Sequence, residues 1–176
     1  MPELEPIPRS PVVAPSGSTT DGTPGGPTLV DESLAPKWRV VGDAYPAVVP
    51  GTAQRRADLL VWSVTPAEWT VVGPRPAGGT VVDLTHVRAM FRLSGEDAPA
   101  LLSRLCAIDL GDAMFPAGAA ARTLVAGVAT EIVRDDDPTE GRSYLLLPSR
   151  SFGRYLHDAI VDAGHDLGIG PRSSED

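Results

Sequence analysis

Asp83, His86 and Arg88 lie within one short connection between apolar stretches. A carboxylate, an imidazole and a guanidinium at this spacing could orient a polar ligand or a partner's carboxylate. They could equally satisfy the backbone groups of their own turn. Arg150 and Arg154, one helical turn apart, read as an anion patch or as a solvated helix face. Trp62 and Trp69 flank the turn at 65–68 and read as core packing or as interface anchors, since Trp is enriched at binding hot spots. Cys106 sits at a predicted helix C-terminus beside Leu105 and Ala107, where the dipole disfavours a thiolate, so it reads as a buried structural thiol. The Asp135-Asp136-Asp137 run lacks the alternating ligands, glycine and distal glutamate of a calcium loop, and reads as a solvated turn.

No self-sufficient catalytic motif accompanies these residues. There is no GxxxxGK phosphate loop, no GxGxxG after a strand and no GxSxG nucleophile turn. His86, His157, His165 and the single cysteine are too widely spaced for a structural zinc set. The expectation is that no residue of this chain is catalytic and none holds a metal. With 176 residues, a net charge of −8 and Lys37 as the only lysine, the chain has no electrostatic footprint for nucleic acid. One cysteine excludes an intrachain disulfide. No apolar run approaches a membrane span, and MPELEPIPRS lacks the features of a secretory signal, so the cytoplasm is the expected location.

The elements that must position these residues follow from pattern. Residues 1–36 are rich in Pro, Gly, Ser and Thr and are expected to form a disordered leader, or an arm laid across a partner subunit. KWRVV (37–41) reads as a strand and 42–56 as a loop broken by Pro46, Pro50 and Gly51. DLLVWSV (58–64) and WTVV (69–72) form a hairpin through the 65–68 turn. Residues 80–84 are extended, and 88–93 form a strand with Ala89, Phe91 and Leu93 on the core face. Ser94 is expected to cap a helix with Pro99 in its first turn and Ala98, Leu101, Leu102 and Leu105 buried. Strands follow at 121–125, 128–133 and 143–147. A last helix buries Phe152, Tyr155, Leu156, Ala159, Ile160 and Ala163, and Gly164 ends it. The whole predicts an α+β domain over 37–166: an antiparallel, ferredoxin-like sheet with two amphipathic helices, followed by a flexible tail at 167–176.

TPAEWTVVGP (65–74), DLTHVRAMFRLSGEDAPALLSRLCAIDL (83–110), FPAGAAARTLVAGV (115–128) and YLLLPSRSFGRYLHDAI (144–160) together resemble the gamma subunit of heterotetrameric sarcosine oxidase. That subunit is itself a shortened relative of the folate-binding domain of the glycine-cleavage aminomethyltransferase. The resemblance covers residues 59–164 and weakens back to Trp38. It departs from the family at Pro66-Ala67-Glu68-Trp69, where PDEW is usual, at Asp83-Leu84-Thr85, where DLS is usual, and in the added leader. The KGCYxGQE signature of the iron–sulfur-repair folate proteins is absent, and SRLC (103–106) stands at the comparable helix end.

The resemblance implies a non-catalytic subunit of a flavin- and folate-dependent N-methyl amine oxidase or demethylase. Large alpha-like and beta-like flavoprotein partners would carry FAD, FMN, NAD and the tetrahydrofolate site, and a small delta-like partner zinc. The chain would bind no cofactor by itself, and Trp62, Trp69, Arg150 and Arg154 are its candidate interface residues. Two other functions remain open. In a stand-alone tetrahydrofolate-binding or aminomethyltransferase-like protein, Asp83, His86 and Arg88 would be the binding residues. The chain could also be an assembly chaperone for a flavoenzyme.

Overall fold

A computed structural model describes residues 19–20, 26–138 and 141–169. Among the described residues eleven strands run in chain order: β1 (Thr19–Thr20), β2 (Thr28–Asp31), β3 (Lys37–Val41), β4 (Thr52–Arg56), β5 (Leu59–Thr65), β6 (Glu68–Val72), β7 (Thr80–Asp83), β8 (Phe91–Ser94), β9 (Ala120–Val125), β10 (Val128–Arg134) and β11 (Ser143–Pro148). Helix α1 (Ala98–Ser103) follows β8, and α2 (Gly153–Ala163) follows β11 after a 3-10 turn at Arg150–Phe152.

The strands form two sheets, not one. The first has the order β1-β2-β8-β11-β10-β9 and the second β4-β5-β6-β3-β7, with every pairing antiparallel. Within the first, the run β8–α1–β9–β10–β11–α2 keeps the expected ferredoxin-like layer of two helices on a sheet. The strand beside β8 comes from the N-terminal side.

Alternation along the strands divides the interior. Ala89, Phe91, Leu93, Ile132, Tyr144 and Leu146 face the helices and meet Leu101, Leu102, Leu156 and Ile160. Met90, Val133, Leu145 and Leu147 face the other way and pack on Leu60 and Trp62 of the second sheet. The outer face of that second sheet buries Val40, Val61, Trp69 and Val71 under Val48 and Tyr45 of the 43–50 loop. Ala126 (φ 48°) and Gly127 (φ 79°) link Val125 to Val128, a two-residue hairpin whose positive φ angles match strand twist.

Several boundaries differ from the sequence expectation. Thr28–Asp31, assigned above to the leader, is a strand between β1 and β8 with Leu29 in the core. Its TLVD alternation is too short to stand out beside the Pro- and Gly-rich residues before it. Residues 1–18 and 21–25 of that leader lie outside the described residues. Thr52–Arg56 is a strand where a loop is expected, because its backbone pairs with β5 although its side chains are polar. At the C-terminus Leu167 and Ile169 pack on the helix-side core, so the chain is anchored past 166, and 170–176 lie outside the described residues.

Ser94 does not cap α1. Its hydroxyl meets that of Ser143 at 3.4 Å, and Asp97 occupies the cap position without a side-chain bond. Phe152 and Tyr155 are exposed rather than buried: Phe152 belongs to the 3-10 turn, Tyr155 lies about 100° round α2 from Leu156 on the buried stripe of Gly153, Leu156 and Ile160, and the Tyr155 hydroxyl donates to the Ala126 carbonyl at 3.1 Å. Gly164 does end α2, in close approach to α1. An added Cβ would lie 2.5 Å from a Leu101 methyl.

Candidate functional site

The layer between the sheets is where this chain concentrates its buried charge. Glu131 of β10 shares its face with Arg122 of β9 and Leu147 of β11, opposite in register. It is 1% exposed, and both carboxylate oxygens are occupied. Oε2 accepts the Trp62 indole N–H (2.9 Å) and the Thr70 hydroxyl (3.2 Å) from the second sheet. Oε1 accepts Arg122 (2.7 Å) and Arg88 (3.1 Å), and Arg88 also donates to the Leu147 carbonyl at 2.9 Å. Burial opposes ionisation of Glu131. The Arg122 and Trp62 hydrogen bonds and the Arg88 charge outweigh it and hold the carboxyl below its usual range. For Arg88, burial is the largest influence and lowers its pKa, Glu131 raises it, and Arg122 and Arg39 lower it.

A second ionic cluster closes the opposite end of the same layer. Asp135 accepts Arg55 (2.8 Å) and Arg92 (3.1 Å), and Arg92 also donates to Glu32 (2.7 Å) and to the Ser143 hydroxyl (3.0 Å). Beside it, Arg134 joins Asp136 and Asp112, and Arg142 joins Asp112. The acidic run is therefore not a solvated turn. Asp135 is buried in an ion network, because the end of β10 carries it under Arg55 and Arg92. A cleft of about 180 Å3 lies here, lined by Arg55, Leu60, Arg134 and Asp136 among others. It is smaller than the roughly 300 Å3 at which small-molecule sites begin.

The residues singled out in the sequence are dispersed. Asp83 is exposed and accepts the Thr85 N–H at 2.7 Å; that turn, more than the charges of His86 and Lys37, keeps its pKa low. His86 is exposed, whereas Arg88 turns inward to Glu131. Trp62 lies wholly between the sheets, and Trp69 is buried on the outer face with its N–H on the Val48 carbonyl at 2.8 Å. Both tryptophans are thus enclosed by this chain's own core. Arg154 is exposed and pairs loosely with Asp158 at 3.6 Å. Arg150 keeps a buried Nη1 with no hydrogen-bond partner among the described residues. The Cys106 thiol is half-buried, donates to the Leu102 carbonyl at 3.2 Å and is raised in pKa by burial.

Sequence reasoning missed Glu131, Arg122 and Arg39. The available signal was a lone glutamate inside the apolar strand VATEIVR. Chemically, a carboxylate whose oxygens accept four donors is a structural anchor rather than a free base. Among the described residues no group of three or more His, Cys, Asp or Glu side chains is placed to hold a metal ion, and no helix is long and apolar enough to cross a membrane.

No family model matches the chain. Sarcosine oxidase subunit gamma of Corynebacterium sp. (strain P-1) is 28% identical over 129 residues, which is 73% of this chain. That match spans 56% of the relative's length, so about half of it is matched here. In three dimensions, a chain of the heterotetrameric sarcosine oxidase from Corynebacterium sp. U-96, in complex with pyrrole 2-carboxylate, matches with a TM-score of 0.70 at 18% identity. The match covers 84% of this chain and 88% of that one, which establishes a shared fold through both sheets. By sequence this chain is similar to a sarcosine oxidase gamma subunit, and it shares the fold of a chain of a heterotetrameric sarcosine oxidase.

Proposed function

We propose that this chain is a non-catalytic, gamma-like subunit of a heteromeric N-methyl amine oxidase or demethylase, whose role is to pack against and stabilise large flavoprotein subunits. The observation that carries this reading is the match of nearly the whole fold to a chain of a heterotetrameric sarcosine oxidase. The site chemistry supports it, because the buried Glu131 is consumed by hydrogen bonds within the chain. FAD, FMN, NAD, tetrahydrofolate and zinc would then reside in alpha-like, beta-like and delta-like partners, in the cytoplasm. A stand-alone folate-binding role draws less support, since Arg88 is already engaged by Glu131 and the Leu147 carbonyl.

Co-expression of the full chain with candidate flavoprotein subunits tests the reading. The expected result is a stoichiometric, flavin-coloured complex that oxidises sarcosine or a related N-methyl amine, while the chain alone is colourless and inactive. A chain that stays apart from such subunits, or that turns over substrate alone, defeats it.

A further inference from the structure

The inner faces of the two sheets part company at the Glu131 end. On the second sheet, Thr70 of β6, Arg39 of β3 and Val82 of β7 stand in one register row, and Thr70 donates to Glu131. The row therefore begins under the first sheet and runs out past it. Val41, two residues from Arg39 on the same face, is 39% exposed, and Val82 is 47% exposed. On the first sheet, Leu124 shares a face with Arg122 and is 59% exposed. An apolar shelf thus flanks a cationic mouth.

The charge of that mouth is unbalanced. Arg88 and Arg122 both donate to one oxygen of Glu131, and Arg39 stands within electrostatic range of Arg88 with no hydrogen bond or ion pair among the described residues. Glu68, opposite Val41, accepts the Thr65 hydroxyl, and counting it leaves three guanidiniums to two carboxylates. At the other end of the layer, Arg55 and Arg92 face Asp135 and Glu32 and are balanced. The excess is notable in a chain whose net charge is −8.

We infer that this mouth is a docking surface for a carboxylate-bearing segment of a partner protein chain, with the acid meeting Arg39 and Arg122 and apolar side chains covering Val41, Val82 and Leu124. Exposed valines and a leucine around unpaired guanidinium fit a protein segment better than a free anion, because arginine beside apolar area is the composition of interface centres. Desolvating the mouth strengthens each guanidinium–carboxylate bond and penalises a partner that brings no acid. The inference rests on the proposed subunit role and names the surface through which that role is exercised.

The test is assembly of the full chain with the flavoprotein subunits, measured as an equilibrium affinity across a salt series. Arg39→Glu and Val82→Asp are each expected to weaken binding about tenfold or more and, for Arg39→Glu, to reduce its salt dependence. Arg56→Glu, at the far edge on β4, is expected to leave it unchanged. Arg39 has no hydrogen-bond or ion-pair partner among the described residues, so the variants should melt like wild type; if Arg39→Glu does not, Arg39→Gln and Val82→Asp carry the decision. Wild-type assembly with unaltered affinity in the variants overturns this surface and leaves the subunit role standing. A wild-type chain that never assembles overturns both. Stabilisation of the isolated chain by inorganic phosphate that is lost in Arg39→Glu, with assembly unaffected, assigns the mouth to a small anion and overturns the proposal.

Discussion

On β10, Ile132 enters the layer beneath the helices, whereas its neighbours Glu131 and Val133 enter the layer between the sheets. The first layer is built mainly from apolar side chains: Phe91, Leu93, Leu101, Leu146, Leu156 and Ile160 meet with no ion pair among them. The second has an apolar middle of Met90, Val133, Leu145 and Trp62, with ionic clusters at its two ends. An apolar layer gains stability roughly in proportion to area and has little directional preference. A buried carboxylate held by donors from both sheets fixes how one sheet sits on the other, since any slip leaves charge unpaired. The helix side thus serves as the body of the fold. The inter-sheet side sets its geometry and, at the Glu131 end, faces outward.

The largest expected effect lies in the ionic layer. Glu131→Ala strands Arg88 and Arg122 without their shared acceptor and should cost about 3–5 kcal/mol in denaturant unfolding. A loss under about 1 kcal/mol would mean that Glu131 does not register the sheets. Leu101→Ala, in the dry layer, should cost about 2–4 kcal/mol through a cavity, and that loss should be independent of pH and salt. If the Leu101→Ala loss varied with pH, the separation of the two layers would fail.

Acid should separate the layers more finely. The Glu131 carboxyl is held below its ordinary value of 4.5 in the fold, so its contribution is present above that value and is lost as pH falls through the folded pKa. Wild type should therefore lose stability below about pH 4.5 more steeply than Glu131→Gln, by thermal melting across an acid series. Alkali probes Lys37, whose Nζ donates to the Ser33 and Ala35 carbonyls at 2.8 Å each and whose pKa burial lowers to about 8. The unfolded chain binds this proton more tightly, so the Lys37 contribution to stability should rise between pH 8 and 10.5. Lys37→Met should lack that rise. Smallest of all, Arg154→Ala removes only an exposed pairing with Asp158 and should change stability by less than about 0.5 kcal/mol.

Much of the strand and helix pattern was legible in the chain itself, because alternation in Ala89–Leu93 and three-to-four spacing in Ala98, Leu101 and Leu102 report burial directly. Leu156 and Ile160 were legible for the same reason, but Phe152 and Tyr155 were not, since Phe152 falls in a 3-10 turn and the buried stripe of α2 is narrower than the apolar pattern, leaving Tyr155 at its edge. Strand β4 escaped notice because TAQRR has no apolar face; its pairing with β5 is made by backbone groups that are the same in every sequence. The site was harder still. Arg88 was picked out for its neighbours Asp83 and His86, yet its partner Glu131 stands 43 residues away.

By itself the sequence determined the alternating strands, the two helices, the absence of an intrachain disulfide and the resemblance to a subunit family, because each depends on residue type and local spacing. Only the tertiary structure decided that the strands divide into two sheets, that Trp62 and Trp69 turn inward, and that Glu131 gathers Arg88, Arg122 and Thr70. The reason is that a local pattern tells each residue which face it must occupy, while the identity of what covers that face is set by the packing of distant strands.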